Sequence, residues 1–120
     1  MASVEIEMPW PPSINGYWRT FRNRQIISKR GREYRKKAVE HIKEIGLFNK
    51  KISGAVQVTM VLNPPTLRKY DVDNFNKALF DALSHAGFWL DDEQVNHLQI
   101  VKGEKVKGGS VPMFIEWEDI

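Results

Sequence analysis

The 120-residue chain contains no cysteine, so disulfides, thiolate zinc sites and cysteine nucleophiles are excluded, and a reducing cytoplasm is the expected setting. No apolar run is long enough to span a bilayer, and no membrane partner is expected. The first ten residues, MASVEIEMPW, carry acids where a signal peptide carries bases, so no export signal is expected. There is no glycine-rich nucleotide loop ahead of a helix, which speaks against a phosphate-cradling nucleotide enzyme. Repeats, low-complexity runs and interdomain linkers are missing too. Residues 1–120 therefore read as one domain around one core.

Acidic residues are scarce in one half. Residues 1–50 hold 11 Lys and Arg against 5 Asp and Glu, whereas residues 51–120 hold 7 against 10, and the chain as a whole is +3. Between Arg19 and Lys37 nine cations face a single acid, Glu33, with Tyr17, Trp18, Phe21 and Tyr34 close by. Cations neutralise phosphates and aromatic faces stack on exposed bases, so this segment is the candidate nucleic-acid surface. Arg19, Arg22, Arg24, Lys29 and Arg30 are its leading contacts, joined by Arg68 and Lys69 further on.

Hydrophobic periodicity gives the elements. Val4, Ile6 and Met8 alternate along a half-buried strand, which Trp10-Pro11-Pro12 ends. Residues 13–18 read as a loop with Asn15-Gly16 at its tight point. RQIIS is a short strand whose Ser28 caps a helix over residues 29–48, with Tyr34, Ala38, His41, Ile42, Ile45 and Phe48 as its stripe. Residues 55–62 form a central strand. Residues 95–102 and 111–117 are two strands joined by a hairpin turn at Lys107-Gly108-Gly109-Ser110. The expected class is α+β: a mixed sheet with two main helices packed on it.

The second helix organises the chain. Phe75, Ala78, Leu79, Ala82, Leu83 and Ala86 form one stripe over residues 74–86, with Asp73 or Asn74 as N-cap and Gly87 just past the end. Asp73, Lys77 and Asp81 share the polar side, and Phe80 lies near it, either exposed to meet a second subunit or a nucleic acid base, with the subunit contact preferred, or covered by a loop. Two acidic clusters flank this helix, Asp71 and Asp73 before it and Asp91-Asp92-Glu93 after it. Mg²⁺ takes only one or two protein carboxylates per ion, so Asp71, Asp73, Asp91 and Asp92 suffice for a divalent-metal site that activates water against a phosphodiester. Lys77 is suited to the scissile phosphate. Two other readings fit the residues alone. One is a nucleic-acid-binding module whose acids only cap helices. The other is a different metal enzyme acting on a small phosphate ester.

The block from Asp71 to Val95, DVDNFNKALFDALSHAGFWLDDEQV, together with Met8-Pro9-Trp10-Pro11-Pro12-Ser13, Asn15, Lys102 and Lys107-Gly108-Gly109, resembles the RusA family of Holliday-junction resolvases. The resemblance spans nearly the whole chain. Residues 19–54 depart most from the family's pattern and keep only its basic character. It implies a homodimeric endonuclease of α+β, RusA-like fold, dependent on Mg²⁺ with Mn²⁺ as a substitute. Such an enzyme cuts two opposed strands of a four-way DNA junction symmetrically. On that pattern Asp71, Asp73 and Asp92 fall at the metal-binding aspartates, Asp91 is a further acidic contributor, and Lys77 stands at the family's essential lysine. A dimer with twofold symmetry supplies two equivalent sites for the two cuts.

Overall fold

The computed structural model describes residues 1–118. Its frame is a four-stranded sheet of β1 (Ala2–Met8), β4 (Val56–Leu62), β5 (Val95–Lys102) and β6 (Val111–Trp117), in the order β1-β6-β4-β5. Alternation puts Ile6, Met8, Val58, Met60, Leu62, Met113 and Ile115 on one face, all buried. The central strand is β4, as its apolar sequence requires. It is flanked by antiparallel β6 and parallel β5. Helices α2 (Lys29–Glu44) and α3 (Asn76–His85) pack against each other, and their apolar stripes join the core. A two-stranded hairpin, β2 (Trp18–Phe21) and β3 (Arg24–Ile27), stands apart from the main sheet. It turns at Arg22 and Asn23, both with positive φ, 51° and 60°.

The expected α+β class and the core of α3 are borne out: Phe75, Ala78, Leu79, Ala82, Leu83 and Ala86 are all buried. Gly87 adopts φ 67° just past the helix, where it and Phe88 return hydrogen bonds to Ser84 and Leu83. Ser28 caps α2 as expected, its hydroxyl accepting from the Gly31 N–H at 2.9 Å.

Five local expectations change. Residues 14–17 form a short helix, α1 (Ile14–Tyr17), because Ser13 accepts backbone hydrogen bonds from Gly16 and Tyr17. Helix α2 stops at Glu44, one turn early, so Ile45 and Phe48 are exposed, and Lys43 covers the Phe48 ring at 4.6 Å. Neither Asp73 nor Asn74 caps α3. Both belong to a separate 3-10 turn, Val72–Asn74, and Phe75 occupies the cap position without a side-chain bond. β5 and β6 do not form a hairpin; each pairs with β4. The parallel β4–β5 pair needs a long crossover, which the segment carrying α3 provides. The glycines mark a bend that passes over β4: Gly109, at φ 73°, packs so closely on Trp10 that a Cβ there would lie 2.7 Å from it.

The fifth correction concerns Phe80. It is only 7% exposed, and its ring meets Trp89 edge-on at 5.5 Å. α3 is covered by the 88–89 segment as well as by the sheet and α2, so its apolar surface is wider than one stripe. The exposure on which a subunit contact through Phe80 rested is not there.

Candidate active site

The chemistry-bearing residues are displayed from α3 and the two 3-10 turns that flank it. The first turn, Val72–Asn74, lies against β5 and holds Asp71 and Asp73 exposed. The second, Asp92–Gln94, lies against α3. Asp91 caps that second turn, one carboxylate oxygen accepting from the Glu93 N–H at 3.0 Å. Gln94 fastens it: its carbonyl accepts from the Leu90 and Asp91 N–H groups at 2.8 Å each, and its amide donates to the Ile52 and Gly54 carbonyls at 2.9 Å each. The turn is therefore set by a side chain that uses both its polar atoms.

Lys77 and Asp92 meet across this arrangement, Nζ to Oδ2 at 4.0 Å. Asp92 is pulled in two directions. Partial burial raises its pKa, the Lys77 ammonium lowers it, and the hydrogen bond and charge of Asp91 with the charge of Asp81 raise it again. The net position is above the usual carboxylate value. The structure thus brings Lys77 to Asp92, whose carboxyl interacts in turn with that of Asp91. Among the described residues, however, no group of three or more His, Asp or Glu side chains is close enough to hold a metal ion. Asp71 and Asp73 stand at the other 3-10 turn, ahead of α3.

Beside the first acidic turn a cleft of about 680 Å³ opens between α2, the segment after β1 and the 64–75 segment. Arg30, Lys37, Arg68 and Lys69 line it, with Glu33 as its single acid and Trp10, Tyr34, Tyr70 and Phe75 as aromatic walls. Arg30, Arg68 and Lys69 were expected from charge alone. Lys37, in sequence simply a member of the basic run, lies two turns along α2 from Arg30 on the same face, and both line the cleft. Trp10, Tyr70 and Phe75 pack ring against ring, with Trp10 to Phe75 at 4.7 Å, and Lys102 lies over the Tyr70 ring at 4.5 Å. The remaining expected contacts occupy the hairpin and its exit. Arg19, Arg22, Arg24 and Lys29 are exposed, with Arg19 and Arg22 flanking the Phe21 ring at 5.6 and 5.3 Å.

Comparison with known proteins bears directly on this arrangement. The sequence model of the family described as "Endodeoxyribonuclease RusA" matches residues 9–116, from the proline-rich end of β1 to the last strand. The chain belongs to the RusA family. It is 40% identical over 115 residues to the crossover junction endodeoxyribonuclease RusA of Shigella sonnei, covering 96% of this chain and 95% of that protein. It is 39% identical over 115 residues, with the same coverage, to the RusA of Escherichia coli K12. Identity reaches 41% over 119 residues with the RusA of Enterobacteria phage 82, again 96% of this chain and 95% of the relative. The family match therefore includes both acidic turns, the basic hairpin and the strands β4 and β5, and all but the last residue of β6.

The fold also shows polar residues that the sequence reading left without a task. Asp81, a member of the polar side with Asp73 and Lys77, accepts from the Tyr17 hydroxyl and from Arg35 Nε. Tyr17 and Arg35 are 64 and 46 residues away in sequence, so no local spacing could have announced the pairing.

Proposed function

We propose that this RusA-family protein is a divalent-metal-dependent endodeoxyribonuclease that resolves four-way DNA junctions by paired, symmetric cuts in opposed strands. It would act as a homodimer on cytoplasmic DNA. The observation that carries the reading is Lys77, held by α3 4.0 Å from Asp92, on the helix just ahead of which Asn74 and Phe75 line a cleft with four cations.

Binding comes first. Arg30, Lys37, Arg68 and Lys69 neutralise strand phosphates in the cleft, and the hairpin cations extend that contact outward. These interactions are independent of sequence, as junction recognition by shape requires. The donor set for the ion consists of carboxylate oxygens only, with Asp92 and Asp91 on one turn and Asp71 and Asp73 on the other. This set suits hard Mg²⁺ or Mn²⁺, and Mg²⁺ keeps several waters when one or two protein carboxylates hold it. When bound, such an ion lowers the pKa of a coordinated water and offsets phosphoryl charge. Lys77 supplies positive charge where the phosphoryl oxygens gain negative charge during displacement, and Asp92 keeps that ammonium oriented in the absence of substrate. Two equivalent sites in a twofold dimer match the two opposed cuts.

The test is an assay of purified protein on a synthetic four-way junction beside linear duplex, with Mg²⁺ and with EDTA. Metal-dependent cleavage of the junction, with duplex left intact, is the expected result. Binding without cleavage in either metal overturns the nuclease reading in favour of a binding module. Activity on a small phosphate ester without junction affinity overturns both.

A further inference from the structure

Tyr17 performs two jobs at one position. Its carbonyl accepts the Ser28 N–H at 2.9 Å, closing the base of the β2–β3 hairpin. Its side chain is fully buried, and its hydroxyl donates to Asp81 Oδ2 on α3. Arg35, in the second turn of α2, donates Nε to the same oxygen at 2.9 Å. His85 Nε2 stands 3.9 Å from the other oxygen of Asp81. Hairpin, basic helix and site helix therefore converge on one carboxylate.

Lys77 precedes Asp81 by one helical turn, the spacing at which a Lys and an Asp become neighbours on a helix surface. The ammonium nevertheless lies at Asp92, 4.0 Å away, while Asp81 holds Tyr17 and Arg35. An Asp81 without those partners would be a free anion beside Lys77 and would compete with Asp92 for it. The three residues also join the elements that carry the DNA-facing cations to the element that carries Lys77.

We propose that Tyr17, Asp81 and Arg35 form a positioning latch. By occupying Asp81 they leave Lys77 directed at Asp92 and the scissile phosphate, and they link the seating of DNA on the hairpin and α2 to the placement of that lysine. The latch rests on the nuclease reading above. It acts through Lys77, with no contact of its own to the reacting atoms.

The decisive variant is Tyr17→Phe, which removes one donated hydroxyl and keeps the ring. Single-turnover cleavage of a synthetic four-way junction in Mg²⁺ is measured beside junction affinity in EDTA and thermal melting. The expected result is a cleavage rate lower by about tenfold or more, since small misplacements of a reacting group cost up to ~100-fold, with affinity within about twofold of wild type. Because the latch works through Lys77, Tyr17→Phe combined with Lys77→Ala is expected to cleave no more slowly than Lys77→Ala alone, whereas independent effects multiply. Asp81→Asn keeps an oxygen that accepts from both partners and carries no charge to compete for Lys77, so it is expected to retain most of the rate. Wild-type cleavage by Tyr17→Phe, a parallel loss of rate and affinity, or multiplied losses in the double variant overturn the latch and leave the nuclease reading standing. A wild-type protein that leaves the junction uncut overturns the nuclease reading and the latch with it.

Discussion

Truncating Phe80 to Ala separates a core residue from a subunit anchor. The ring is 7% exposed and meets Trp89 edge-on, at 5.5 Å between centroids and 79° between planes. Trp89 is itself buried, donates its indole N–H to Ser84 at 2.7 Å, and stands two residues before Asp91. Removing a buried phenyl group costs about 3–5 kcal/mol, in lost transfer energy plus the cavity left behind. That figure includes the ~0.5–1.5 kcal/mol of the aromatic pair. Unfolding entropy of about 2.1 cal/mol/K per residue gives about 0.25 kcal/mol/K for 120 residues. Phe80→Ala is therefore expected to lower Tm by about 12–20 °C. Melting is followed by circular dichroism at two protein concentrations tenfold apart, because a loss at a subunit contact depends on concentration and a loss in the core does not. A drop below about 4 °C, or one that disappears in dilute protein, refutes the core assignment. Cleavage at a temperature where the variant is still folded should also slow, since Trp89 supports the acidic turn.

Asp73→Asn is expected to leave junction affinity and Tm unchanged, since Asp73 is exposed and its turn does not depend on its side chain, and to abolish cleavage; cutting at the wild-type rate removes Asp73 from the site. Lys77→Ala should lower turnover far more than affinity in the same assay, and equal losses would make Lys77 a binding residue. Asp92 has a raised folded-state pKa, so its ionisation disfavours the fold, an effect absent below the carboxylate range and complete above the folded pKa. Asp92→Asn is thus expected to melt slightly above wild type at pH 7 in EDTA, with the two converging in acid; an equal or lower Tm at pH 7 contradicts the charge balance described. Gly31→Ala places a methyl 2.6 Å from the Tyr17 carbonyl oxygen and 2.8 Å from Ile27, so it should cost about 1–3 kcal/mol in a urea melt, although helix propensity alone favours Ala by ~1 kcal/mol.

What was legible in the sequence was whatever depends on near neighbours. The α3 stripe, the Gly87 stop, the Ser28 cap and the alternation of β1 and β4 all follow from spacings of two to four residues, and all reappear in the structure. The candidate site residues were legible as types: two acidic pairs, a lysine one turn into the helix, a basic run. Their mutual distances were not, because Lys77 and Asp92 meet only once the 88–94 segment folds back along α3. For Phe80 a helical wheel leaves exposure and cover by a loop both open, because it shows the stripe that faces the core and says nothing of the 88–89 segment that covers a second side of α3. The hairpin between β5 and β6 was misread because a Gly-Gly pair signals a bend without saying which strand the chain joins next. Asp81 shows the same limit at its sharpest, since both of its strong partners come from other elements.

Gln94 leaves its acidic turn little latitude. All four of its bonds are to backbone groups, two received and two given, so the loop bearing Asp91 and Asp92 is rigid before any ion arrives. On the proposed metal role, a cation would meet a backbone whose ordering was completed during folding. A glutamate there, identical in length, would trade both donated bonds for an oxyanion aimed at two carbonyls. At this position a substitution of one atom is as disruptive as a deletion.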